Sequence, residues 1–197
     1  VITDTFEPGS VFKTVTAAVA LEEGLVKDVD TVKFLCNGYL KIEGWDMKCW
    51  RYYNPHGKQS LRQGLMNSCN PVFMSIALTI GKVKYYDYLS ALGVSKKTGI
   101  DLPGEVNGII HQIANVTDST IASAAFGQGF TLTQLNMLNV ISVFGNDGIL
   151  MKPRIVSKIL DRNGNVVQEN EPVAEKQVFS KETSNAVLDM MTSVVSN

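Results

Sequence analysis

The stretch Glu7-Pro8-Gly9-Ser10-Val11-Phe12-Lys13, EPGSVFK, decides how the rest of this chain is read. Pro8 and Gly9 punctuate it. After them Val11, Phe12, Val15, Val19 and Leu21 mix with Ala17, Ala18 and Ala20 up to Glu22-Glu23-Gly24, the pattern of a buried helix stopped by a C-terminal glycine. Residues three apart on a helix are neighbours, with Cβ atoms about 5–6 Å apart, so the Lys13 amine can fold back onto the Ser10 hydroxyl. A serine is a weak nucleophile until a base takes its proton, and Lys13 can be that base only if burial lowers its ordinary pKa of about 10.4. The plainer reading makes Ser10 a helix cap and sends Lys13 to water. The remaining sequence has to separate the two.

The chain has 197 residues, a formal net charge of -1 and 45% hydrophobic residues, enough for a core of ordinary globular type. Lys and Arg number 18 against 19 Asp and Glu, so no basic excess points to nucleic acid. No run of 18 apolar residues argues for a membrane span, and the polar residues from Thr3 to Thr5 do not read as a signal peptide. Three cysteines, Cys36, Cys49 and Cys69, are too few for a disulfide scaffold and leave at least one unpaired.

Tyr39-Leu40 and Trp45 to Trp50 read as strands of a hairpin turning within Lys41 to Gly44. Leu61 to Ile80 reads as two helices joined at Ser68-Cys69-Asn70, with Pro71 opening the second. Lys84 to Leu92 gives a further short helix, and Gly93 to Gly108 a turn-rich loop. Thr131 to Gln134 is expected to cap a helix ending at Gly145. Asn163-Gly164 marks a hairpin. Ser180 caps a final helix expected to turn Ala186, Leu188, Met190, Met191 and Val194 mostly inward.

The flanks of Ser10, the joint Ser68-Cys69-Asn70 and the segments LEEG (Leu21 to Gly24), TGIDLPGE (Thr98 to Glu105), GQG (Gly127 to Gly129) and GILMKPRIV (Gly148 to Val156) together resemble the transpeptidase domain of class B penicillin-binding proteins, most closely the division and sporulation type of Gram-positive spore formers. The resemblance implies an α/β (α+β) fold of the penicillin-binding-protein and serine β-lactamase type. Residues 1–197 would be part of that domain, mainly its helices and peripheral hairpins. Central-sheet strands and a third Lys-Thr/Ser-Gly element are expected beyond the helix that ends near Val195. It implies Ser10 as acylated nucleophile, Lys13 as its base, Ser68 as proton relay and Asn70 as the group that holds Lys13 and the substrate amide. The Ser10 N–H would supply half of an oxyanion hole. Lys97-Thr98-Gly99 spells the third element but lies in a loop, and it reads as structural.

The implied function is a peptidoglycan D,D-transpeptidase that cross-links stem peptides and is acylated by β-lactams, with no cofactor for catalysis. It would work on the extracytoplasmic face of the cell membrane through an anchor elsewhere in the protein, beside a glycosyltransferase and division or sporulation proteins. A β-lactam sensor or scaffold module and a serine β-lactamase are the alternatives, the last lacking its Glu-x-x-Leu-Asn run here. A second constellation is Cys36, Asp46, Cys49 and His56. If the hairpin sets Cys36 opposite Cys49, two sulfurs, a carboxylate and an imidazole make a structural Zn2+ set. A Cys36–Cys49 disulfide, or two plain thiols, are the other readings. His111 reads as a loop histidine.

Overall fold

The computed structural model describes residues 1–196. β1 (Thr5–Phe6) leads into a 3-10 turn, Gly9–Phe12, that runs directly into α1 (Lys13–Glu22). A layer of short strands follows: β2 (Phe34–Cys36), β3 (Tyr39–Ile42), β4 (Trp45–Lys48) and β5 (Gly57–Gln59). Next come α2 (Leu61–Met66), α3 (Asn70–Ile80), α4 (Lys82–Ala91), α5 (Asp118–Ala124), β6 (Leu132–Thr133) and α6 (Gln134–Ser142). β7 (Ile149–Lys152), β8 (Lys158–Leu160), β9 (Val166–Glu169), β10 (Val173–Gln177) and α7 (Lys181–Ser196) close the description.

Among the described residues the strands form five antiparallel two-stranded ribbons and no larger sheet, as a helical part with peripheral hairpins should. β3 and β4 pair Tyr39 with Lys48 and Ile42 with Trp45 around Glu43-Gly44. β2 leaves that hairpin and pairs with β5, Cys36 opposite Gly57. The expected register of Cys36 against Cys49 is therefore wrong, because the chain breaks at Asn37-Gly38 and Cys36 belongs to a different ribbon.

Helix α1 is the centre of the core. Every residue from Lys13 to Ala20 is buried, and the helix packs on α2, α3 and α7. Its three alanines and small β-branched residues let those neighbours close in, and the resulting apolar cluster reaches Phe130, Val140 and Val187. One buried polar chain pins it: Tyr85 O–H donates to Thr16 Oγ1 (2.6 Å), and Thr16 donates to the Ala125 carbonyl (2.8 Å). Burial holds the Tyr85 hydroxyl far above its ordinary range, so it stays a donor.

One cap assignment shifts. The α6 cap is Thr133, whose hydroxyl accepts from Asn136 N–H, since Thr131 bridges to Ile109 instead. Ser180 caps α7 as expected, accepting from Thr183 N–H. Leu188 and Val194 are exposed, however, and the inward face of α7 carries Thr183, Ser184, Val187 and Met190.

Candidate active site

Lys13 is 1% exposed, yet its Nζ is surrounded by oxygen. It lies 2.8 Å from the Ser68 carbonyl, 2.8 Å from Ser68 Oγ, 2.8 Å from Asn70 Oδ1 and 3.1 Å from Ser10 Oγ. An ammonium has three protons for these four acceptors. The neutral amine, the form that could take a proton, would give its two N–H groups to the carbonyl and to Asn70 Oδ1, which can only accept, and turn its lone pair to the hydroxyl side. Ser68 O–H donates to Ser10 Oγ at 3.0 Å, and that leaves the Ser10 proton for the lone pair. Burial pulls the Lys13 pKa from 10.5 to about 8, against the pull of Cys69 and Cys49 nearby.

The backbone that presents Ser68 is unusual. Ser68 N–H bonds the Leu65 carbonyl and Cys69 N–H the Gly64 carbonyl, both at 2.9 Å, closing α2 in a Schellman turn. The residue at the left-handed position of that turn is normally glycine. Here it is Ser68, with φ +47°. A side chain kept at a position that costs about 1–2 kcal/mol to occupy is one whose hydroxyl matters more than the backbone's comfort. The capping box of Ser60 and Gln63 starts α2, and Asn70 opens α3 with Pro71 behind it.

Ser10 is held from the other side. Gly9, at φ +61°, donates its N–H to the Gly127 carbonyl (2.9 Å), and a Cβ on Gly127 would fall 2.1 Å from the Gly9 oxygen. Gly129 N–H adds a 2.9 Å bond to Glu7 Oε1. The EPGS and GQG segments are thus one clasp, a contact 120 residues apart that local patterns in the sequence did not reveal. From Ser10 and Ser68 a groove of about 330 Å3 runs along Val11, Leu65 and Met66 to Met191 and Val195.

Lys97-Thr98-Gly99 has other partners. Thr98 N–H and Oγ1 and Gly99 N–H all donate to the Glu105 carboxylate, at 2.7, 2.6 and 3.0 Å, and the segment folds upon itself. His111 is exposed in a loop.

The second constellation is only partly assembled as expected. Cys36, Cys49 and His56 do converge, but Asp46 does not join them: it sits across the hairpin from Lys41, 3.7 Å from its Nζ, with 41% of its side chain exposed. Strand alternation turns Asp46 to the face opposite the sulfurs. The fourth member is Cys69, from the middle of the Ser68–Asn70 joint. All three cysteines are buried free thiols.

A serine hydroxyl, a buried lysine amine within reach of it and a second serine bridging the two make an arrangement that suits serine acyl transfer with an amine, not an imidazole, beside the hydroxyl. The chain belongs to the penicillin binding protein transpeptidase domain family, whose model matches residues 1–197. It is 37% identical over 192 residues to stage V sporulation protein D of Bacillus subtilis, covering 97% of this chain and 29% of that protein. Against the peptidoglycan D,D-transpeptidase FtsI of Escherichia coli K12 the identity is 29% over 196 residues, 98% of this chain and 30% of the relative. The crystal structure of penicillin binding protein 3 from Mycobacterium tuberculosis complexed with aztreonam superposes with a TM-score of 0.90 at 30% identity, covering 100% of this chain and 43% of that one. The chain therefore spans less than a third of the length of the curated relatives it matches. No helix among the described residues is long and apolar enough to cross a membrane.

Proposed function

We propose that the protein containing this chain is a peptidoglycan D,D-transpeptidase. The observation that carries the proposal is the convergence of Ser10, Ser68 and Asn70 on the buried Lys13 amine. Ser10 Oγ attacks the carbonyl of the penultimate D-alanine of a stem peptide and gives its proton to Lys13 Nζ. The Ser10 N–H, in the first turn of a helix whose leading N–H groups have no helical partner, faces the developing oxyanion. As the C–N bond breaks, Lys13 returns the proton through Ser68 Oγ to the departing D-alanine amine. The ester on Ser10 is then attacked by an amine of a neighbouring stem, whose proton follows the same relay back to Ser10 as the cross-link forms. Asn70, bonded through Nδ2 to the Lys48 carbonyl at 3.2 Å, holds Lys13 with its Oδ1 and has amide atoms within reach of the substrate backbone. A β-lactam would acylate the same oxygen.

The similarity to a sporulation protein and to FtsI supports a role in sporulation or division, on the extracytoplasmic face of the membrane, with an anchor and a glycosyltransferase partner supplied elsewhere. The test uses the intact gene product. Labelled penicillin should appear on the tryptic peptide containing Ser10, and a stem-peptide donor should release D-alanine faster when an amine acceptor is added. An adduct on another peptide, or none, overturns the nucleophile. Rapid hydrolytic turnover of penicillin makes the protein a β-lactamase, and stable acylation without D-alanine release makes it a sensor.

A further inference from the structure

We propose that Cys36, Cys49, His56 and Cys69 form a closed Zn2+ site that clamps the Ser68–Asn70 joint to the strand layer. Their four donor atoms lie within 4.8 Å of one another. Tetrahedral zinc with Zn–S of about 2.3 Å and Zn–N of about 2.0–2.1 Å needs ligand atoms roughly 3.5–3.8 Å apart, so the cluster is within about 1 Å of closure. Cys49 Sγ and His56 Nδ1, at 3.6 Å, already meet that spacing. The ring thus presents Nδ1 to the sulfurs, while its Nε2 is buried with no partner among the described residues.

The backbone N–H groups of Gly38 and His56 are directed at Cys36, and that of Val72 at Cys69. Cysteines that merely fill space need no such donors and no imidazole among them. Three sulfurs and a nitrogen are soft ligands that select zinc over magnesium or calcium, and four protein ligands leave no open position, so the ion is structural.

The placement gives it a purpose. Cys36 ends β2, Cys49 follows β4, His56 precedes β5, and Cys69 stands between Ser68 and Asn70. Cys69 is also the residue whose N–H closes the Schellman turn. An ion holding its sulfur to two ribbons would lock that turn, and with it the left-handed backbone that aims Ser68 at Lys13. This role for the ion rests on the acyl-transfer reading, whereas its presence does not.

The intact protein, purified without chelator, is analysed for metal. After reduction it is reloaded with Zn2+ alone, and separately with Co2+ as an optical probe. About one zinc per chain is expected, with the sulfur-to-cobalt charge-transfer absorption of a tetrahedral thiolate site. Asp46→Ala should keep the metal, while Cys36→Ser and His56→Ala should each lose most of it. Chelation should lower the melting temperature and slow penicillin acylation by tenfold or more. Folded, reduced protein that takes up no Zn2+ and gives no thiolate absorption with Co2+ overturns the site, as does full retention of metal by both ligand variants. So does a native Cys36–Cys49 disulfide, read as a mass lower by two hydrogens, if its reduction creates no metal affinity. Because metal content is read without any acylation, it stands or falls apart from the transpeptidase proposal. Metal binding without an effect on acylation removes the clamp.

Discussion

Lys13 is the place where burial is converted into chemistry, and pH is the cleanest way to perturb it. Lowering its pKa from 10.5 to about 8 favours the neutral amine by roughly 3 kcal/mol. At pH 7 about one molecule in ten then carries a competent base, against roughly one in three thousand for a lysine in water. Only the neutral form can accept the Ser10 proton, so the acylation rate should rise about tenfold from pH 6 to pH 7, bend near 8 and be flat above about 9. The assay is stopped-flow acylation of the intact protein by a chromogenic β-lactam at saturating and sub-saturating concentrations. The profile to follow is that of the rate constant over concentration, since it reports the free protein. Lys13→Arg, which keeps a cation that never deprotonates, should lower the rate by about 10²–10⁴ at every pH and abolish the bend. A flat profile between pH 6 and 9, or a bend near 10.5, would refute the claim that burial prepares this lysine as the base.

Three further outcomes are expected. Ser68→Gly removes the relay hydroxyl but places glycine where the Schellman turn wants it, so acylation should fall while thermal stability holds or rises by up to about 1 kcal/mol; a parallel loss of both would mean that the left-handed backbone is not the dominant cost at this position. Gly127→Ala drives a Cβ to 2.1 Å from the Gly9 oxygen at φ +80°, and calorimetry should show a loss of about 2–3 kcal/mol or more together with slower acylation, because the clasp that presents Ser10 must open. Lys97→Ala should leave acylation within about twofold, as neighbouring Thr98 and Gly99 spend their donors on Glu105; a loss comparable to that of Lys13→Arg would place this tripeptide in the catalytic cleft.

The parts of the site that could be read from the sequence are those set by local rules. The turn from Ser10 to Lys13 follows from helical spacing, and the joint at Ser68 to Asn70 from a proline at the start of a second apolar helix. The Glu43-Gly44 turn follows from alternation on either side of it. What could not be read depends on how separate ribbons meet. Asp46 seemed a ligand because it is near Cys49 in sequence, yet a strand turns residues three apart to opposite faces. Cys69 was hidden by its neighbours, since a residue between two candidate catalytic groups invites a reading as filler. Thr133 displaced Thr131 as the cap because the latter was already engaged in a bridge to Ile109. The clasp of Gly9 and Gly127 joins distant segments through backbone atoms alone, and no side-chain pattern announces it.

Helix α1 has no exposed face between Lys13 and Ala20, and its neighbours press on it through alanines. A heritable change there adds volume where none is free or removes contacts that nothing replaces, so the lineage carrying this protein has almost no accessible variants of its catalytic helix. Adaptation to a new inhibitor must enter elsewhere. Such a position is Val11 on the groove wall, 56% exposed, where a side chain can be exchanged without moving Ser10. The catalytic centre is thereby conservative by construction, and natural selection is left to work on its rim.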